Sequence, residues 1–185
     1  IDQNIEYYEL KKLYTIHMIV GASILPMIFV IGLIKELRSN KKRKKYAEKI
    51  LSNYFYSSVF LFLFGGFLGL QIKQINTVIP AHYHGQIVGV TIALMGLVYY
   101  YLCKIYNKRL NSKLAYWQPI IYSFGQFIHI SALAISGGYG ALRKAPDSIY
   151  GFNAKFWMSV MGIGGFITMV AGLLFLIICL SLIHI

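Results

Sequence analysis

Two histidines separated by one residue, His82 and His84 in the run IPAHYHGQIVGVT, offer the most specific chemistry in this chain. An imidazole binds a metal through one ring nitrogen while a hydrogen bond to the other fixes its tautomer and orientation. Pro80, just upstream, suits the first turn of a helix. At about 100° per residue, positions i and i+2 point roughly 200° apart, so the two rings face opposite sides of one helix. They cannot share a metal ion. The spacing suits a helix wedged between two planar cofactors, each taking one axial imidazole, as two haems would. It also fits a pair of interfacial histidines near lipid headgroups.

The remaining candidates are weaker. His17 and His129 lie in apolar runs and read as structural, hydrogen-bonded imidazoles, with His129 placed to reach a cofactor edge or a water. Cys103 and Cys179 form neither a CxxC metal pair nor a disulfide framework. Phe60, Phe64 and Phe124 read as packing residues of the bundle and of any cofactor wall.

The elements that must position these groups follow from composition. Of 185 residues 57% are hydrophobic and 13% charged, with a mean hydropathy of +0.60. That is membrane composition, and it excludes a water-soluble globule. The 15 Tyr and 12 Phe exclude a disordered chain. Five uncharged runs, residues 13–34, 54–72, 82–103, 114–142 and 156–185, approach or exceed the ~20 residues that cross a bilayer as a helix. None shows the alternation of a β-barrel strand. With no repeat and no linker, one all-α membrane domain over residues 1–185 is expected.

The net charge of +12 lies between these runs rather than along one soluble face. It reads as topology, with no nucleic-acid partner. Lys35, Arg38, Lys41, Lys42, Arg43, Lys44, Lys45 and Lys49 precede the second run. Lys104, Lys108, Arg109 and Lys113 follow the third, so 12 of 18 basic residues fall on one face. The positive-inside rule makes that face cytoplasmic, with the N-terminus outside and the C-terminus inside a prokaryotic cell membrane.

The run PAHYHGQIVGVTIALMGL resembles the tenth transmembrane helix of subunit I of the haem-copper oxidases, where an AHFH-type motif ligates both haems. SVFLFLFGGFLGLQI resembles the ninth helix, and SGGYGALRKAPD the loop after the eleventh. The likeness covers helices eight to twelve of a twelve-helix subunit. It implies His82 as axial ligand of the high-spin haem and His84 of the low-spin haem. It further implies Arg143 and Lys144 on haem propionates, where Arg offers a bidentate fork and Lys a point charge.

Some features depart from the common pattern. The usual basic pair is Arg-Arg, and Gly137, Gly138 and Gly140 lengthen its loop. The lysine of a proton path in the eighth helix has no counterpart, which leaves Tyr14, Thr15 and Ser23 as weak candidates. The copper ligands and the second low-spin ligand are expected upstream of Ile1. The chain starts at Ile, without a signal peptide, and reads as cut at the front. Its tail, LSLIHI over residues 180–185, resembles translated sequencing-adapter sequence, so His184 receives no role.

The activity implied is that of a respiratory terminal oxidase, reducing oxygen to water with electrons from cytochrome c or quinol and coupled to proton translocation. Its implied partners are the remaining helices of subunit I, the other oxidase subunits, the electron donor and membrane lipid. A nitric oxide reductase of the same superfamily, a membrane cytochrome that only passes electrons, and a haem-free scaffold are the alternatives.

Overall fold

The computed structural model describes residues 3–39, 45–142, 144 and 151–184. It is 86% helical. The helices are α1 (Gln3–Ser39), α2 (Tyr46–Gly69), α3 (Val78–Ile105), α4 (Lys113–Gly138) and α5 (Phe152–His184). All five are long and apolar enough to cross a membrane, which bears out the all-α membrane fold. Among the described residues the sole extended pairing is an isolated bridge between Asn76 and Leu142.

Helix ends differ from the apolar runs because helices continue past the hydrocarbon boundary into polar sequence. Residues 45–49 illustrate this: α2 starts at Tyr46, with the Glu48 carboxylate accepting the Lys45 N–H at 3.1 Å. Lys49 is therefore helical, as are Lys35 and Arg38, so three of the basic residues expected in the loop belong to helices. α3 starts at Val78, which puts Pro80 in its first turn and His82 and His84 in its second. α4 stops at Gly138, four residues before the expected end. Gly140 there adopts φ +84°, a left-handed conformation that suits glycine, and Leu142 pairs with Asn76.

The chain divides into two compact units, residues 1–43 and 44–185. The first holds α1, with Pro26 in its interior. Thr15 Oγ1 donates to the Lys11 carbonyl and Ser23 Oγ to the Val20 carbonyl, both at 2.9 Å. Both hydroxyls are thus engaged with their own helix.

In the second unit, glycines bring backbones together. A Cβ on Gly85 would lie 2.6 Å from the Gly65 Cα, and one on Gly65 would lie 2.7 Å from the Gln86 nitrogen. Gly89 similarly meets Phe62 and Ser58, and Gly96 meets Tyr54, so α2 follows α3 along one glycine row. α4 and α5 close in the same way, where a Cβ on Gly164 would lie 2.5 Å from the His129 nitrogen. In lipid, where burial of apolar surface drives little association between helices, close van der Waals contact at small residues does that work.

Gln118, fully buried in α4, adds a polar tie. It accepts from the Tyr54 hydroxyl of α2 at 2.5 Å and donates to the Ala171 carbonyl of α5 at 2.9 Å. A leucine there would strand the Tyr54 hydroxyl, at a cost of roughly 1–3 kcal/mol. Gln118→Leu is expected to lower the unfolding midpoint of the protein in detergent. Adding Tyr54→Phe should restore part of that loss, because the orphaned donor is then gone.

Candidate functional site

The two histidines of α3 meet different neighbours. His82 turns toward α2, where its Nδ1 lies 2.8 Å from the Gly65 carbonyl oxygen. A carbonyl only accepts, so Nδ1 carries a proton, and in the neutral ring Nε2 keeps its lone pair. Gly69, one turn beyond Gly65, leaves room for the ring: a Cβ there would lie 2.6 Å from Nδ1 and 2.7 Å from Cε1. His82 is therefore a half-buried, oriented imidazole with one basic nitrogen available.

His84 turns toward α4 instead. Its ring meets His129 edge to face, with centroids 5.4 Å apart and planes at 81°, and lies 4.9 Å from the ring of Tyr83. His129 is itself held, its Nδ1 donating to the Met161 carbonyl of α5 at 3.1 Å. Gly164 and Gly165 admit it, since a Cβ on Gly165 would sit 3.2 Å from Nδ1. Neither nitrogen of His84 bonds a described residue. His129 has the structural, hydrogen-bonded role its position suggested, and it also forms one wall beside His84.

The end of the unit that holds this pair is tied together by the 70–77 link and the chain after α4. The Thr77 N–H donates to the Ala141 carbonyl at 3.0 Å, and Thr77 Oγ1 donates to the Leu133 carbonyl at 2.8 Å. Asn76 Nδ2 reaches the Gly137 carbonyl at 3.2 Å. These bonds fix the start of α3 against the segment that leads to the basic pair. Lys144 is exposed and left-handed at φ +62°, whereas Arg143 lies outside the described residues. Of the expected packing aromatics, Phe64 packs on Phe127 with centroids 4.9 Å apart. Phe60, half exposed at 50%, also packs on Phe127 with centroids 5.5 Å apart, whereas Phe124 is 59% exposed and lies outside the core of this chain.

Residues 53–167 match the family model described as cytochrome C and quinol oxidase polypeptide I. That stretch covers most of α2, all of α3 and α4 and about half of α5, and includes both histidines. The chain belongs to the haem-copper oxidase subunit I family. An uncharacterized protein of Rickettsia prowazekii (strain Madrid E) is 35% identical over 205 aligned positions, covering 91% of this chain. The chain spans 40% of that relative's length. No solved structure matches.

Members of this family carry haem and copper. The residues here fit a haem-binding role: Nε2 of His82 is available, Nδ1 is held by a backbone carbonyl, and a glycine clears space for the ring. Among the described residues no three His, Cys, Asp or Glu side chains gather as a metal-ion cluster.

The sequence gives no direct sign of the Gly65 carbonyl as the partner of His82, because a backbone acceptor leaves no trace in residue type. The signal available was the glycine content of GGFLG, which keeps α2 close enough to offer that carbonyl. Gly69→Ala is expected to push the His82 ring off Gly65 and lower haem retention by about tenfold, the scale of losing an orienting partner. Gly66→Ala should leave it unchanged, since its Cβ would meet Gln86 Nε2 at an ordinary 3.6 Å. Haem content of the full-length protein by pyridine haemochromogen assay reads both.

Proposed function

We propose that these helices are part of the catalytic subunit of a respiratory terminal oxidase, which reduces oxygen to water with electrons from cytochrome c or quinol and conserves the energy as a proton gradient. The observation that carries this reading is the divergence of His82 and His84 from one helix, toward α2 and toward α4 respectively. One helix then serves two haems. When bound, the haems supply the redox chemistry, and the protein supplies binding, orientation and electrostatics.

In this reading His82 would hold the haem on the oxygen-reducing side, its Nδ1–H donated to Gly65, which keeps the ring from rotating. His84 is the low-spin ligand, and the edge of His129 limits its ring orientation. Arg143 and Lys144 would neutralise haem propionates, Lys144 standing at the same end of the unit. The bonds of Thr77 and Asn76 support that role, since they hold the segment just before this pair against the start of α3. Copper and the second low-spin ligand belong to helices upstream of this chain. The basic ends of α2 and α3 face the cytoplasm, and the histidines stand nearer the outer side.

The test is a pair of substitutions in the full-length parent. His82→Ala should abolish the carbon monoxide shift in the reduced spectrum, and His84→Ala should remove the low-spin band while the shift survives. Loss of the same signal in both variants would contradict two separate cofactors. Turnover of oxygen rather than nitric oxide by the parent is expected.

A further inference from the structure

At the end of the four-helix unit opposite the histidines, the start of α2, the end of α3 and the residues up to Asn111 line a half-open cavity of about 720 Å³. Four cations line it, Lys45, Lys104, Lys108 and Arg109, against one carboxylate, Glu48. Glu48 is already engaged, with Oε2 accepting the Lys45 N–H at 3.1 Å. Lys108 Nζ is buried and has no hydrogen-bond partner among the described residues. An ammonium withdrawn from water without a counter-charge is unfavourable, and an anion in the cavity would relieve that cost.

The other part of the wall is apolar and aromatic, including Leu51 and Tyr100. Tyr100 is 48% exposed on the flank of α3, and the cations stand where the spans of α2 and α3 end. Charge at the span boundary above an apolar flank matches a molecule that carries both an anionic headgroup and acyl chains. A soluble phosphate would use the cations alone and leave the apolar flank without a partner.

We propose that this cavity binds an anionic phospholipid, with its phosphate on Lys108, Arg109 and Lys104 and an acyl chain along Tyr100 and Leu51. Occupation supplies the counter-charge that Lys108 lacks, and it fastens the start of α2 to the end of α3. Nothing in this assignment depends on haem.

The full chain, purified in detergent and titrated with phosphatidylglycerol, is read by native mass spectrometry. One equivalent should bind in preference to phosphatidylcholine. Lys108→Gln with Arg109→Gln should weaken binding about thirtyfold, roughly fivefold for each cation removed. Lys108→Arg should retain it. Lys73→Gln with Lys155→Gln, two charges at the other end of the unit, should leave it unchanged. Circular dichroism identifies a variant that fails to fold, in which case Arg109→Gln alone carries the test with an expected fivefold loss. Equal binding of the two lipids, or equal losses in the two double variants, would overturn the proposal in favour of diffuse attraction. Displacement of the lipid by millimolar inorganic phosphate would overturn it in favour of a soluble ligand.

Discussion

The backbones of α2 and α3 meet at Gly65 and Gly85 at a distance that no other residue type permits, and the histidine chemistry hangs on that contact. Because α2 lies so close, the Gly65 carbonyl comes within 2.8 Å of His82 Nδ1. That carbonyl lies in the last turns of α2, and its oxygen has two lone pairs, so it can accept from the imidazole without giving up a helical N–H. One glycine therefore sets both the helix spacing and the protonated nitrogen of a candidate ligand. A Cβ at either position would move the helices apart and take the acceptor away from the ring.

The same economy of polar groups recurs where water is excluded. Gln118 satisfies both ends of its amide between α2 and α5, and His129 rests on the Met161 carbonyl. Ser123 and Thr168 donate to carbonyls four residues back in their own helices. Polar side chains inside the spans are thus mostly committed to structure. Among the described residues, the hydroxyls of Tyr99 and Ser131 are buried without a partner inside the spans, while the histidine pair lies at one end and the unpaired Lys108 at the other.

The five helices were legible in the sequence because a hydrocarbon core demands long uncharged runs, and the divergence of His82 from His84 was legible because helical periodicity is rigid. Helix ends were harder to place. Lys49, Lys104 and Lys113 lie inside helices, since a charged side chain can leave the hydrocarbon while its backbone stays helical. The early stop of α4 reflects the bridge from Leu142 to Asn76, a contact made by residues 66 positions apart in sequence. Phe124 looks like a core residue by type, yet a membrane helix presents aromatics outward as readily as inward. Gln118 gave no signal at all, because one amide in an apolar run says nothing of which helices it will join.

The central claim is that one helix presents two imidazoles to two different haems, one of them oriented by the Gly65 carbonyl. A cryo-electron microscopy map of the full-length parent tests it most directly. The account predicts two separate planar densities on opposite sides of α3, one joined to His82 Nε2 with Nδ1 still on Gly65, the other joined to His84. A single density shared by both rings, or density that leaves either imidazole without a bond to iron, would contradict it.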